Sequence, residues 1–218
     1  MSKKGFTLLP TAIKDLFIKS IDTPVDFIIR FNVHPNFFTI LGLIASAIGA
    51  VFYAMGNLIG GGAGILIGGI CDTFDGKIAR KSGRSSKFGA LFDSSLDRYA
   101  EFMMFLGIMA YLIKFNDPLY TVTTVVAFLA LNGSILVSYV RARAEGLGYD
   151  CKVGMMQRAE RIVLIGFSSM VHEYALIGAV WIVAIFANIT AIQRMVHVWR
   201  TEREELQRKR LDESLEEI

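Results

Sequence analysis

The sequence predicts an all-α integral membrane protein: a bundle of six transmembrane helices preceded by an amphipathic helix on the membrane surface. The chain is 53% hydrophobic over 218 residues, with a mean hydropathy of +0.47, which is more apolar than a soluble domain of this length. Charged residues make up 20% of the chain and cluster at the ends of apolar runs. The runs are long enough to cross a bilayer, although the fifth is marginal. A net charge of +3 placed in this way fits membrane lipids with anionic headgroups and not nucleic acid.

Residues 1–35 are predicted to form a cytoplasmic segment next to the membrane. Residues 1–10 have a basic start but no sustained apolar core followed by a cleavage site, so no removable signal peptide is expected. Residues 11–33 mix apolar and charged side chains, which predicts an amphipathic surface helix interrupted near Pro24. His34 is expected to be structural, and Pro35 predicts the start of a new helix because proline fits a first helical turn.

Six apolar segments follow within residues 36–200, and residues 201–218 are predicted to form a charged cytoplasmic tail. The predicted spans are 36–53, 57–80, 88–113, 119–140, 162–171 and 174–198. Six spans place both termini on one side of the membrane. Basic residues follow the second, fourth and sixth spans, whereas the opposite turns contain only Lys114. The positive-inside rule therefore predicts cytoplasmic termini for a multi-pass protein of the plasma membrane.

The end of the second span and the start of the third carry four carboxylates. Helical spacing puts each of two sets on a single face, namely Asp72, Asp75, Gly76 and Ala79, and then Gly89, Asp93 and Asp97. If the polar turn 81–87 makes these helices antiparallel, the two acidic faces meet. No basic residue shares either face, so a cation is needed between the carboxylates, and an all-oxygen site suits magnesium or manganese. The alternative, solvated acids at helix ends, is disfavoured because acids beside the hydrocarbon layer are costly and usually functional.

The acids belong to the pattern Asp72-x2-Asp75-Gly76-x2-Ala79-Arg80-x8-Gly89-x3-Asp93-x3-Asp97, which fixes eight residues. This pattern resembles the motif of the CDP-alcohol phosphotransferase family of membrane enzymes. The resemblance implies transfer of a phosphatidyl-type group from a CDP-lipid, either CDP-diacylglycerol or an ether analogue, to an alcohol, with release of CMP. It also implies two bound Mg²⁺ or Mn²⁺ ions and a homodimer.

The resemblance implies roles for individual residues. The metal ligands are expected to be Asp72, Asp75, Asp93 and Asp97, and Asp97 is also expected to accept the proton of the attacking alcohol. The alternative for Asp97 is structural pairing with Arg98. Contacts to the CDP-lipid are expected from Pro35, Asn36, Thr39, Asp72, Asp75, Gly76, Ala79, Arg80 and Gly89. For the first three of these residues, a helix cap is the alternative reading.

The acceptor is predicted from basic residues that the metal site does not need. The end of the fourth span and the Arg-Ala-Glu-Arg run of the fifth resemble the family branch that makes phosphatidylinositol phosphate from inositol phosphate. That resemblance implies that Arg141 and Arg161 hold the acceptor phosphate, with Arg194 as a third candidate. Glycerol phosphate is the first alternative acceptor, followed by free inositol and serine. The remaining arginines near these spans, Arg143, Arg158 and Arg200, are interpreted as anchors to lipid headgroups.

A metal or ion transporter is the competing class of function. Transporters place their carboxylates near the bilayer midplane, usually between two repeated halves. Here Asp72 lies roughly 12 Å along its helix from Arg80, at 1.5 Å per residue, and no second acidic pair mirrors the first. The depth of the acids therefore favours the enzyme.

Overall fold

The computed structural model describes residues 11–216, and it describes side chains for residues 21–215. The absence of a signal peptide, predicted for residues 1–10, lies outside the described residues, as do the side chains predicted to form the faces of residues 11–20. Within the described range the predicted all-α class is confirmed. The helices are α1 (Thr11–Arg30), α2 (Pro35–Met55), α3 (Leu58–Lys81), α4 (Lys87–Leu112), α5 (Pro118–Gly146), α6 (Arg158–Val171) and α7 (Glu173–Glu216).

Polar side chains cap the starts of four helices. The His34 ring accepts a hydrogen bond from the Asn36 amide at 3.2 Å, so His34 has the structural role expected of it. Side-chain caps also begin α3, α4 and α5, from Asn57, Ser86 and Asp117. Each side-chain oxygen satisfies an amide that has no acceptor within the first helical turn.

The break predicted near Pro24 is wrong, because α1 continues through this proline to Arg30. Tertiary packing compensates for the lost backbone hydrogen bond. Val25 and Ile21 are buried and pack with Ile78 of α3. The helix is therefore held by its contact with α3 on both sides of the proline.

Ion pairs reinforce the contact between α1 and α3. Asp22 accepts from Lys77 at 3.0 Å and pairs with Lys81 at 3.1 Å, and Lys81 also pairs with Asp26 at 2.8 Å. The hydrogen bonds from Lys77 and Lys81 lower the pKa of Asp22 below its ordinary value of 3.8. Because this carboxylate is favoured in the folded state, the pairing persists at neutral pH and is lost only as the pH falls through that lowered pKa.

The helices α2 to α7 form a closed ring. Around the ring the order is α2, α3, α6, α7, α5 and α4, and α4 packs back against α2. The interior is filled by apolar side chains from all six helices, including Tyr53, Ile65, Phe105, Leu131, Ile165 and Val180. Because α2 packs extensively against both α3 and α4, these two helices have little contact with each other.

The outer surface of the ring is apolar. Large hydrophobic side chains such as Phe128, Val125 and Ile185 are exposed on it, as expected where a protein faces lipid rather than water. Within the described residues, α2, α3, α5 and α7 are long and apolar enough to cross a membrane. The prediction of an integral membrane protein is thus confirmed. The predicted division at residue 200 falls inside α7, which continues to Glu216.

Glycines allow α2 and α3 to approach with their backbones in contact. A Cβ atom added to Gly64 would lie 2.6 Å from the Cα atom of Gly49, and one added to Gly49 would lie 2.9 Å from the Gly61 carbonyl oxygen. These distances are too short for any other residue without movement of the backbone. These glycines therefore mediate close packing of α2 against α3 within one chain.

We expect Gly64→Ala to lower the free energy of unfolding by about 1–3 kcal/mol, because the added methyl group meets backbone atoms that cannot move aside. Thermal unfolding of the purified protein in detergent measures this effect. The matched control is Gly178→Ala in α7, where an added Cβ meets nothing within 4 Å. The control should be neutral or slightly stabilising, and equal melting temperatures for the two variants would contradict the packing argument.

Candidate metal centre and active site

Three carboxylates from two helices converge where the 81–87 turn joins α3 to α4. One oxygen each from Asp72, Asp75 and Asp93 lies within 4.8 Å of the others. The two acidic faces therefore meet at this end, although α2 separates the helices further along. Spacing within each helix and a short polar connection are sufficient to bring these three acids together.

Within the described residues, two oxygens of this triad are buried without a hydrogen-bond partner, Asp75 Oδ2 and Asp93 Oδ1. A buried carboxylate oxygen normally accepts a hydrogen bond, because removing it from water is costly. The Thr39 hydroxyl is within hydrogen-bonding range of the Asp75 side chain, which fixes this carboxylate without satisfying Oδ2. Unpaired oxygens from several carboxylates are the ligand set that a hard divalent cation requires, so these residues fit magnesium or manganese.

Asp97 lies outside the triad and pairs with an arginine. Asp97 Oδ1 lies 2.8 Å from Arg158 Nη2, and the same guanidinium contacts Asp72 Oδ2 through Nη1 at 2.8 Å. Asp97 also pairs with its neighbour Arg98 at 3.4 Å. The carboxylates therefore have a basic partner, which comes from α6 and not from the two acidic faces, and the interpretation of Arg158 as a lipid anchor is wrong.

Arg158 was missed because it is distant in sequence and begins a different helix. The packing of α6 against α3 places its first residue over the acids. One signal was available in the sequence, since a cation in the first turn of a helix is disfavoured by the helix dipole. An arginine in that position indicates a compensating negative partner.

A narrow cleft lies between α2 and the acids. Thr39 and Ser46 line it on one side, and Asp72, Asp75 and Asp97 line it on the other. Next to it lies a second narrow cleft, whose lining includes Arg158 and Glu101. The side chains of Asp72 and Asp97 remain 32% and 15% exposed, so the acids are not sealed in the core.

Several residues predicted to contact the CDP-lipid lie around the same end of the bundle. A Cβ added to Gly89 would be 3.9 Å from Asn36 Oδ1, so the start of α2 lies beside the start of α4. The Arg80 guanidinium lies over Gly76, 3.3 Å from the position of an added Cβ. Pro35 is buried in the first turn of α2, and Ala79 is half-buried on the face of Gly76.

The three arginines predicted to hold the acceptor phosphate lie in one region. Arg141 of α5 and Arg161 of α6 are both close enough to Arg194 of α7 to act on its charge. Their surroundings differ. Arg141 has a side chain that is 42% exposed and pairs with Glu145 at 2.8 Å, one turn along its own helix.

Arg161 and Arg194 are buried and donate to protein acceptors. Arg161 is 0% exposed, contacts Glu101 Oε1 through Nε at 2.9 Å and Nη2 at 2.5 Å, and donates to the Met156 carbonyl at 3.0 Å. Arg194 donates to the carbonyl groups of Val153 and Val137. Arg161 must rearrange to contact a soluble phosphate, whereas the two contacts of Arg194 use only Nε and Nη1 and leave Nη2 as a further donor.

Glu101 is the second residue that the sequence analysis missed. It is 1% exposed and forms the buried ion pair with Arg161. Its position was visible in the sequence, since Glu101 continues the series Gly89, Asp93 and Asp97 by a further four residues. An acid inside an apolar helix requires a partner, and the partner here is a cation on α6.

Comparison with known proteins identifies close similarity over most of the chain. The family model described as CDP-alcohol phosphatidyltransferase matches residues 32–199. An archaetidylinositol phosphate synthase of Methanothermobacter thermautotrophicus is 36% identical over 175 residues, which cover 78% of this chain and 86% of that protein. A phosphatidylinositol phosphate synthase of Streptomyces avermitilis is 34% identical over 209 residues, covering 90% of this chain and 84% of the relative.

Solved structures of the Mycobacterium tuberculosis phosphatidylinositol phosphate synthase have the same fold. The structure with CDP-DAG bound has a TM-score of 0.72 and 29% identity, covering 81% of this chain and 92% of that one. The structure in complex with manganese and citrate has a TM-score of 0.73 at 29% identity, and covers 81% of this chain and 88% of that one. These similarities favour an enzyme over the transporter alternative.

Proposed function

Because the chain belongs to the CDP-alcohol phosphatidyltransferase family, whose model matches residues 32–199, we propose that it transfers a phosphatidyl-type group from a CDP-lipid to inositol phosphate. CMP is released, and the product is a phosphoinositide precursor of membrane phospholipids. The enzyme uses divalent magnesium or manganese. The donor is CDP-diacylglycerol or its ether analogue, since the relatives include both a phosphatidylinositol phosphate synthase and an archaetidylinositol phosphate synthase.

The observation that carries this proposal is the convergence of Asp72, Asp75 and Asp93 at the end of α3 and the start of α4. Their unpaired buried oxygens fit a cation, and a cleft lies beside them. A site in this position reaches a water-soluble acceptor and a membrane lipid together. A transferase that joins these two substrates needs such access.

In the proposed mechanism Asp72, Asp75 and Asp93 hold the cations, and Asp97 completes the set. The cations neutralise negative charge on the departing CMP. Asp97 accepts the proton of the acceptor hydroxyl as that oxygen attacks the phosphorus bearing the lipid and the bond to the CMP phosphate breaks. Asp97 must first leave Arg158, because a carboxylate held by a guanidinium is a weak base.

The small residues and the neighbouring polar groups are proposed to bind the donor. Gly76, Ala79 and Gly89 leave room for the nucleotide between α3 and α4. Arg80, which lies over Gly76, contacts a phosphate of the donor. The α2 residues at this end, Pro35, Asn36 and Thr39, border the cytidine.

Arg141 is proposed to bind the acceptor phosphate directly. Its pairing with Glu145 is a partly exposed contact within one helix, and such pairs contribute only about 0.3–0.5 kcal/mol. A phosphate dianion therefore displaces Glu145 at little cost and gains charge-assisted hydrogen bonds. Arg161 and Arg194 complete the proposed acceptor site, and Arg161, whose three nitrogens all contact protein acceptors, must exchange a buried partner to reach the phosphate.

We propose that α2 to α7 all cross the plasma membrane and that α1 lies on its cytoplasmic surface. Support comes from the closed ring, in which the shorter α6 and the more polar α4 are neighbours of clear spans. The basic turns at the end that carries the acids support a cytoplasmic site and cytoplasmic termini. The same proposal divides the chain into residues 1–35, 36–200 and 201–218.

A homodimer is proposed from the family resemblance, and cross-linking in native membranes tests it.

The function is tested by CMP release from one CDP-lipid with a panel of acceptors. We expect inositol phosphate to support turnover at least about tenfold faster than free inositol, because only the former offers a charged partner to the arginines. Glycerol phosphate and serine complete the panel. Equal use of inositol and inositol phosphate, or a preference for serine, would contradict the assignment of the acceptor.

We expect Arg141→Ala to raise the KM for inositol phosphate by roughly ten- to a hundredfold, the effect of losing about 1.5–3 kcal/mol from a charged hydrogen bond. The KM for the CDP-lipid should stay within about twofold of the wild-type value. Steady-state kinetics with each substrate varied in turn measures both. Arg143→Ala is the matched control, as an exposed cation two residues away on the same helix. Equal changes in both variants would indicate a general charge effect instead of a specific contact.

A further inference from the structure

The four carboxylates of the site fall into two groups with different partners. Asp75 and Asp93 each have a buried oxygen without a hydrogen-bond partner. Asp72 and Asp97 are joined instead by the guanidinium of Arg158, with both contacts at 2.8 Å. Asp72 belongs to both groups, because it also contributes an oxygen to the triad with Asp75 and Asp93.

Arg158 is placed to act inside the site and not at its edge. Its side chain is 17% exposed, close to the 15% exposure of Asp97, and it lines both clefts. Its Nε atom is buried without an acceptor, so the contacts to α3 and α4 are made by the two terminal nitrogens. The side chain therefore bridges the helices that carry the metal-ligand candidates from a third helix.

A guanidinium and a divalent cation compete for the same oxygens. Asp75 and Asp93 offer a first cation oxygens that Arg158 does not contact, and Asp72 contributes a further oxygen to the triad. A second cation that uses Asp97 must remove this carboxylate from Arg158 and must also approach a positive charge. Both effects oppose the binding of the second cation, because charges in a partly buried site are screened less than in water. A diphosphate relieves both, because it carries negative charge and its oxygens pair with a guanidinium bidentately.

We propose that Arg158 holds Asp97 in an ion pair and so keeps it from binding a cation. A second divalent cation then binds only when a nucleoside diphosphate replaces Asp97 as the partner of the guanidinium. The inference rests on the proposed function for the identity of the cations and of the donor. Arg158 is then a positioning residue, which acts through Asp72 and Asp97. Binding of the donor then frees the Asp97 carboxylate and allows the second cation to bind.

The test counts bound Mn²⁺ by electron paramagnetic resonance on the purified full-length protein, with and without CDP. The wild type should bind one Mn²⁺ tightly and a second only when CDP is present. Arg158→Gln should bind the second Mn²⁺ without CDP, with an affinity on the order of tenfold or more above that of the wild type, since a neighbouring positive charge is removed. Arg158→Lys keeps the charge but lacks the fork that bridges two carboxylates, and should fall between them.

Identical Mn²⁺ titrations for the wild type and Arg158→Gln would overturn the inference, as would two equivalent Mn²⁺ ions in the wild type without CDP. Asp97→Asn provides a second test that does not alter the arginine. It should retain the first Mn²⁺ with wild-type affinity and gain no second ion with CDP; loss of the first would overturn the division of the site. If the wild type binds Mn²⁺ but releases no CMP from any CDP-lipid, the proposed function fails separately from this inference.

Discussion

Asp75→Asn and Asp93→Asn are each expected to abolish tight Mn²⁺ binding and to lower CMP release by at least about a thousandfold. Each substitution removes negative charge from a carboxylate whose buried oxygen has no partner within the described part of the chain. A loss of metal coordination removes several kcal/mol of transition-state stabilisation, and each 1.36 kcal/mol corresponds to a factor of ten in rate. Mn²⁺ titration and a CMP-release assay on the same preparations measure the two effects.

The control for these variants is Asp150→Asn, an exposed carboxylate that pairs only weakly with nearby Lys152. It should bind Mn²⁺ and turn over like the wild type. Asp97→Asn should behave differently from both, because it abolishes turnover while leaving the first Mn²⁺ and the CDP-lipid bound. Near-normal turnover in Asp97→Asn would remove its assignment as the base, and near-normal Mn²⁺ binding in Asp93→Asn would remove the triad as the metal site.

Arg161→Met is expected to destabilise the protein by about 3–5 kcal/mol, the usual result of removing one partner from a buried ion pair. Glu101, at 1% exposure, would be left with the longer contact between its Oε2 and Arg98 Nε at 3.7 Å, and the Met156 carbonyl would lose a donor. Thermal unfolding in detergent measures the loss. The double variant Glu101→Leu with Arg161→Met should recover most of it, because two apolar side chains leave no buried charge. A double variant as unstable as the single one would show that the pair is not the cause.

The sequence-based prediction for Arg161 concerned kinetics, namely that Arg161→Ala raises the KM for the acceptor far more than the KM for the CDP-lipid. That prediction stands beside the expected loss of stability. The two are separated by measuring kinetics at a temperature well below the melting temperature of the variant. A change in acceptor KM that the Glu101 double variant does not reverse would support direct contact with phosphate.

Local periodicity was sufficient to predict most of the helices and the acidic triad. The i, i+3 and i, i+4 spacings of Asp72, Asp75 and Asp93 determine which face each side chain occupies, and a turn of a few residues forces the two faces together. These features depend only on nearby residues. The starts of α2, α3, α4 and α5 were predictable for the same reason, because their N-terminal caps are local hydrogen bonds.

Contacts between distant helices were not predictable in this way. The pairing of Arg158 with Asp72 and Asp97, and that of Arg161 with Glu101, depend on the rotation of α6 against α3 and α4. No local pattern encodes that rotation. Arg158 and Glu101 nevertheless each indicated an oppositely charged partner. Arg158 is a cation at a helix start and Glu101 is an acid within an apolar run, and both positions are unfavourable for an unpaired charge. Pro24 was misjudged because burial of Val25 outweighs one missing backbone hydrogen bond.

The cleft beside the acids lies at the end of a bundle whose outer surface faces lipid. The lipid donor therefore reaches it by diffusion within the membrane, and the acceptor reaches it from the aqueous solution. For the lipid donor, the relevant quantity is its mole fraction in the bilayer. For the acceptor, it is the bulk molarity. Adding inert lipid to the vesicles therefore slows each enzyme molecule even when the total amount of donor is constant, whereas diluting the whole suspension leaves the encounter with the donor unchanged and reduces only the encounter with the acceptor. Membrane composition thus acts on this reaction as directly as substrate supply.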